Sequence, residues 1–296
     1  MSTAAAPAGP RAEFWFGQVH GYHYAAPAPR YALIIAHGTG GHGGTYDKFA
    51  VPMTGMGADI YSIDLPGHGK ARNESGNWRF TEWLDEVDLT AREIKARTGL
   101  PVFVLGSSKG AAVAFHSLAH SPSVDGAVTM GLFLTEVPPP ESDGIGKRYR
   151  EFRTPQAAET ARTQGDTLRI PIETLFDWNK SYALNEANVL EKKKTDPLRT
   201  WSWGYASEYS YMNYEPPAPA SANRKPVLVA VGELDPLMRP VYVKQCFDAI
   251  GGPKRLEVIP GGGHQLMTYH TEVFAPLVNA WCTEQATKFS TSAAMA

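Results

Sequence analysis

The feature that most constrains this chain is the run Val102-Phe-Val-Leu-Gly-Ser-Ser108-Lys-Gly110, followed by Ala-Ala-Val-Ala-Phe-His-Ser-Leu118. Four apolar residues, three of them β-branched or aromatic, spell a buried strand. The small residues after Gly110 suit a helix packed closely on a sheet. Between them, Gly106-Ser-Ser108-Lys-Gly110 satisfies G-x-S-x-G. Between a strand and a helix, such a turn strains its central serine so that the hydroxyl projects from the sheet edge. Side chains at the two glycine positions would collide there. The turn also brings the Lys109 N–H, at a helix start, beside the place where an oxyanion would develop. A five-residue pattern with three fixed positions is met by chance, and Ser108 alone could be a polar residue in a tight turn. The decision rests on which groups follow it, and in what order.

The chain has 296 residues, 43% hydrophobic and 20% charged, with a formal net charge of −2. That is the composition of a soluble globular protein with one large α/β domain or two smaller ones. A near-neutral charge gives no reason to expect nucleic acid or an anionic membrane as partner. Cys246 and Cys282 stand in no metal-ligand spacing. They are expected as buried thiols, with one disulfide left open. The first ten residues have neither the basic start nor the apolar core of a secretory signal, and no run is long enough to span a bilayer. A cytoplasmic location is the expectation.

Residues 1–12 are Ala/Pro-rich and expected to be a disordered tail. Two short strands follow, over Glu13–His20 and Tyr22–Ala25, turning near Gly21. Tyr31–Ala36 is a fully apolar strand ending in His37-Gly-Thr-Gly-Gly-His-Gly-Gly44. That loop lacks the Walker lysine pattern and a clean G-x-G-x-x-G, so a nucleotide site is disfavoured. It reads better as a loop whose backbone N–H near Thr39 joins that of Lys109 in a two-donor oxyanion hole. His37 and His42 lack a carboxylate at ligand spacing, which argues against a metal site. A helix over Thr45–Met56 and a strand over Ala58–Ile63 lead to Asp64-Leu-Pro-Gly-His-Gly69. There Asp64 and His68 could be catalytic, but such turns more often use polar residues to satisfy their own backbone. Phe80, Trp83, Leu84, Val87, Ala91 and Ile94 fall on one helical face, and Gly99 and Pro101 stop that helix. The acidic residues Glu82, Asp85, Glu86 and Asp88 are expected mostly on its solvated face.

Asp125–Leu134 reads as the next buried strand. From Val137 to about Pro226 the strand–helix alternation stops, and aromatics become dense. The division expected is a core over 13–136 and 225–286, a mainly helical cap over 137–224 and a flexible tail over 287–296. Trp178, Trp201 and Trp203 would line an apolar substrate pocket, or else hold the cap together. Regular order resumes with a strand ending at Gly232-Glu-Leu-Asp235-Pro, a helix over Val241–Ile250, and a strand over Lys254–Ile259 ending in Pro260-Gly-Gly-Gly-His264. A last amphipathic helix spans about Thr271–Thr283.

Ser108, Asp235 and His264 thus stand after three strands, in the chain order of a Ser-Asp-His triad. A serine hydroxyl is a poor nucleophile until a base takes its proton. His264 can be that base and return the proton to a leaving group, while Asp235 holds the imidazole tautomer.

On His37-Gly-Thr-Gly, Asp64-Leu-Pro-Gly-His-Gly, Gly106-Ser-Ser-Lys-Gly, Gly232-Glu-Leu-Asp-Pro and Gly263-His264, the chain resembles the α/β-hydrolase superfamily, and within it serine hydrolases like monoacylglycerol lipase. The resemblance covers 31–135 and 225–285 and hardly touches the cap. It implies an α/β fold: a mostly parallel sheet flanked by helices, with an inserted cap. It also implies Ser108 as nucleophile, Asp235 as acid, His264 as base, and the Thr39 and Lys109 N–H groups as oxyanion donors, with no metal or organic cofactor. Lys109 departs from the family, which usually has an apolar residue there; its charge could favour an anionic substrate or pair with a buried carboxylate.

The expected activity is hydrolysis of a carboxylic ester, lactone or amide through an acyl-enzyme, on a small apolar or aromatic substrate. C–C bond hydrolysis, peptide hydrolysis or acyl transfer would use the same triad, and a ligand receptor could keep the fold with little turnover. Ser108 argues against a haloalkane dehalogenase, which needs aspartate at that position. Whether the protein is a homo-oligomer is left open.

Overall fold

A computed structural model describes residues 11–71, 75–181 and 186–294. The chain opens with a hairpin of β1 (Arg11–Phe16) and β2 (Val19–Tyr24), then runs through β3 (Tyr31–Ala36), α1 (Asp47–Gly55), β4 (Ala58–Ile63), α2 (Phe80–Thr98), β5 (Val102–Ser107), α3 (Lys109–His120) and β6 (Gly126–Met130). A segment with α4 (Gly144–Phe152), α5 (Pro155–Gln164), β7 (Arg169–Pro171), α6 (Trp178–Ser181), α7 (Val189–Lys194), β8 (Ser202–Gly204) and α8 (Tyr205–Met212) follows. The chain then returns with β9 (Val227–Gly232), α9 (Pro240–Ala249), β10 (Lys254–Ile259), α10 (Leu266–Tyr269) and α11 (Thr271–Ala294).

Eight strands form one sheet in the order β1-β2-β4-β3-β5-β6-β9-β10, while β7 and β8 pair separately. β2 is antiparallel to β1 and β4, and every pair from β4 to β10 is parallel. The central strands β3, β4, β5, β6 and β9 are buried at every position because helices cover both faces. Alternate residues divide the core accordingly. Ala32, Ile34, Val102, Val104, Val227 and Val229 pack with Trp83, Val87 and Ile94 of α2, Val113 and Leu118 of α3, and Val243 of α9. Leu33, Ile35, Phe103, Leu105 and Leu228 face Phe49 and Met53 of α1 and Phe274, Val278 and Trp281 of α11.

The order of winding matters for function. From β3 the chain moves outward to β4, then crosses back to β5 on the other side of β3. Crevices that bind ligands open where the winding reverses, at the carboxyl ends of such strands. The loop containing Thr39 follows β3 and Ser108 follows β5, so both lie at that point.

Several local expectations need correction. The hairpin turns at Gly17-Gln18, where Gly17 has φ +61°, and not near Gly21, which is paired inside β2 opposite Phe14. Arg11 and Ala12 already belong to β1; the rest of the expected tail lies outside the described residues. The last helix runs to Ala294, beyond Thr283, because Ala286 and Phe289 continue its apolar contacts with the core. Glu86 does not face solvent. It is buried beside Thr90 because α2 is flanked by β1 on one side and α3 and α8 on the other, which widens its covered arc. Glu82 instead accepts from the Arg79 N–H at 2.6 Å and caps the helix. Cys246 and Cys282 are both free and buried. Among the described residues, no helix is long and apolar enough to cross a membrane.

Candidate active site

Ser108 holds the turn between β5 and α3 at φ 55° and ψ −118°, a left-handed conformation unfavourable for a residue with a side chain. Its N–H donates to the Met130 carbonyl at 2.9 Å, and its carbonyl accepts from the Ala111 N–H at 2.8 Å. The glycines explain why the turn fits. A Cβ on Gly106 would lie 1.8 Å from the Gly110 oxygen, and one on Gly110 would lie 2.2 Å from the Ala36 oxygen. The G-x-S-x-G pattern is therefore a steric requirement of closing β5 on the start of α3 and packing that start against the end of β3. Ser107, its neighbour, is wholly buried in β5, and its hydroxyl has no partner among the described residues.

Asp235 and His264 leave β9 and β10, the last two strands of the sheet. His264 Nδ1 lies 2.8 Å from Asp235 Oδ2, with both side chains buried. The other carboxylate oxygen of Asp235 accepts from the Leu237 and Met238 N–H groups, each at 2.9 Å. The aspartate is thus fixed before it orients the imidazole. With Nδ1 donating to the carboxylate, Nε2 carries the lone pair. Ser108 and His264 line the same cavity, together with Thr39 and Lys109.

The Thr39 loop is held from outside by the inserted segment. Arg199 Nη2 donates to the Thr39 carbonyl at 3.3 Å, and the Thr200 N–H donates to the Gly40 carbonyl at 3.2 Å. Lys109 opens α3, and the first N–H groups of a helix have no partner within it.

The cavity, about 120 Å³, is walled by Phe133, Ile145, Leu175, Phe176, Tyr211, Leu237 and Met238. Trp178, Trp201 and Trp203 do not line it. Trp203 is fully buried beneath it, edge-on to Trp78, while Trp178 packs on Phe176 and Trp201. The indoles consolidate the inserted segment, and smaller neighbours meet the cavity.

The Lys109 side chain resolves one open question: it pairs with a buried carboxylate. Its Nζ lies 2.6 Å from Glu208 Oε2 of α8 and over the rings of Tyr211 (4.0 Å) and Trp203 (4.8 Å). Glu208 was not singled out by motif, yet the sequence carries a signal for it. Tyr205, Glu208, Tyr211 and Met212 share one helical face, so the carboxylate stands on an apolar stripe. Arg148, the second cation on Glu208 at 3.3 Å, has no comparable signal.

The remaining candidates are structural. His37 accepts from the Leu65 N–H at 3.1 Å and donates to the Gly38 carbonyl, and burial pushes its pKa down to about 4. His42 binds Asp196 at 2.8 Å and accepts from Gly44 N–H. Asp64 accepts from the Gly43 and Lys70 N–H groups and contacts His20 at 2.7 Å, tying the loops after β3 and β4 together. His68 is buried against His37 and Trp83, and burial holds it well below the usual imidazole range.

A mostly parallel sheet wound in this order, with a strained serine after β5 and a buried histidine–aspartate pair after the last two strands, defines the α/β-hydrolase class. The profile of the family described as serine aminopeptidase, S33, matches residues 27–270, and the chain belongs to that family. It is 32% identical over 98 residues to the monoglyceride lipase homolog of Monkeypox virus, a match spanning 32% of this chain and only 36% of the viral protein. It is 24% identical over 245 residues to the monoacylglycerol lipase of Mycolicibacterium smegmatis, covering 80% of this chain and 82% of that one. Among solved structures, a soluble variant of monoglyceride lipase from Saccharomyces cerevisiae superposes with a TM-score of 0.73 at 14% identity, over 96% of this chain and 97% of that one.

Proposed function

We propose that the protein is a serine hydrolase of carboxylic esters acting through an acyl-enzyme. The observation that carries this reading is the strained Ser108 sharing one cavity with the Asp235-oriented His264. Ser108 Oγ attacks the ester carbonyl carbon while His264 Nε2 takes its proton, and Asp235 stabilises the imidazolium. The carbonyl oxygen becomes an oxyanion facing the Thr39 and Lys109 N–H groups. Collapse breaks the bond to the alcohol, which leaves with the proton from His264. Water, deprotonated by His264, then releases the acid and restores Ser108. The apolar wall supports an apolar or aromatic group on the substrate.

We take residues 137–224 to be a cap over this cavity. Ile145, Leu175 and Phe176 of that segment form part of the wall, which supports this assignment. Free Cys246 and Cys282 agree with a cytoplasmic setting. The test is turnover of p-nitrophenyl esters from acetate to long-chain acyl groups, by the intact protein and by Ser108→Ala. Turnover that disappears with Ser108 is the expected result, and its chain-length profile sizes the cavity. Turnover that survives the substitution overturns the reading.

A further inference from the structure

Three charged side chains meet in the wall of the cavity that holds Ser108 and His264: Lys109, Arg148 and Glu208. Glu208 is wholly buried, and both of its oxygens are engaged, one by Lys109 Nζ at 2.6 Å and the other by Arg148 Nη1 at 3.3 Å. Two cations therefore share one carboxylate. Among the described lining residues Glu208 is the only acid, so within this lining two cations face one carboxylate, a formal charge of +1.

We propose that this cluster is a subsite for a carboxylate borne by the substrate away from its scissile ester, with the Arg148 guanidinium as receptor. The inference rests on the ester-hydrolase reading and gives its substrate a chemical class: a half-ester of a dicarboxylic acid, or another ester with a free carboxylate.

The two cations are not equivalent. Lys109 is closed in, with its ammonium bonded to Glu208 and covered by the Tyr211 and Trp203 rings. Arg148 keeps 23% of its side chain exposed, lines the cavity and makes one long contact with Glu208. A guanidinium offers five N–H donors in a planar fork that matches a carboxylate with two parallel bonds. Of the acids on and beside its helix, Asp143, just before α4, is taken by Arg239 at 2.8 Å, and Glu151, three residues on, is exposed. A buried net charge is costly unless an occupant neutralises it, and a neutral hydroxyl cannot do so. Burial depresses the Lys109 pKa to about 8 despite Glu208, in keeping with a cluster short of negative charge.

The experiment uses size-matched pairs: mono-p-nitrophenyl esters of glutaric to suberic acid, and the same compounds with the far carboxylate capped as a methyl ester. The expected result is that at one chain length the anionic member is preferred in kcat/KM by about tenfold or more, as one charge-assisted pair supplies. Arg148→Met should erase that ratio and Arg148→Lys should keep part of it, with circular dichroism reporting the fold of each. A ratio at or below unity across the series, or one that Arg148→Met leaves unchanged, overturns the inference while leaving the hydrolase reading intact. Absence of Ser108-dependent turnover from both members of every pair counts against the hydrolase reading instead. In that event, calorimetry of the Ser108→Ala protein with monomethyl and dimethyl esters of the same diacids decides the subsite. Tighter binding of the anion, lost on adding Arg148→Met, supports it; equal or undetectable binding of both overturns it.

Discussion

Lys109 Nζ and Glu208 Oε2 lie 2.6 Å apart, and this ion pair joins the residue after Ser108 to α8 of the inserted segment. The turn that presents the serine is therefore anchored from both sides, by β5 behind it and by α8 in front. Burial alone would raise the Glu208 pKa, but the Lys109 and Arg148 cations hold it below the ordinary carboxylate value.

Removing one partner should expose the cost of the pair. Glu208→Ala leaves a buried ammonium without its counter-charge, and the expected loss is about 3–5 kcal/mol of unfolding free energy. Denaturant titration at neutral pH checks this; a loss under about 1 kcal/mol would show that water reaches Lys109.

Glu86 gives a pH dependence of opposite origin. Burial, with smaller contributions from Glu82, Asp64 and Asp85, raises its pKa from 4.5 to about 8. The folded chain then holds a proton that the unfolded chain releases, so its contribution is fully present below pH 4.5 and is lost as pH rises through 8. Glu86→Gln, which keeps the neutral shape, should gain on the order of 5 kcal/mol over the parent at pH 8.5 and little at pH 4.5. Melting temperatures of both proteins across that range make the comparison; parallel curves would contradict it.

Buried histidines act at the acid end. Burial pushes His116 down to about 3 and His37 to about 4, each from 6.5. The unfolded chain binds these protons first, so stability falls as pH drops from 6.5 towards 4. His116 stands among Phe80, Phe115 and Tyr214, and His116→Leu should move the acid unfolding midpoint downward. An unchanged midpoint would show that the ring is hydrated.

Arg199 should act on rate more than on binding. Its bond to the Thr39 carbonyl holds the loop that carries one of the proposed oxyanion donors, while its guanidinium lies over the Trp178 and Trp201 rings. Arg199→Met is expected to lower kcat by about tenfold or more, with KM changed far less. A change confined to KM would remove Arg199 from that positioning role.

Much of the core was legible because its signals are local. Tyr31–Ala36, Ala58–Ile63 and Lys254–Ile259 begin and end in the structure where the sequence places them, the last of them between Pro253 and Pro260. The Ser108 turn was legible because three small-residue constraints coincide within five positions. The inserted segment was legible only in part, because outside the Tyr205–Met212 face its aromatics obey no period and several of its contacts are with distant loops. Trp203 could not be told from a lining residue without knowing that Trp78 and Lys109 cover it. Glu86 was misplaced for a related reason: helical spacing locates an apolar face but not how far neighbouring elements extend it. Arg148 and Glu208 are 60 residues apart and meet only once the segment has folded over the sheet.

The central claim is that Ser108 is the nucleophile, and covalent labelling addresses it most directly. The intact protein is treated with a fluorophosphonate and its peptides are mapped by mass. One phosphonyl adduct on Ser108, absent from Ser108→Ala and strongly slowed in His264→Ala, is the expected result. An adduct on Ser107, or persistent labelling of Ser108→Ala, would contradict the assignment.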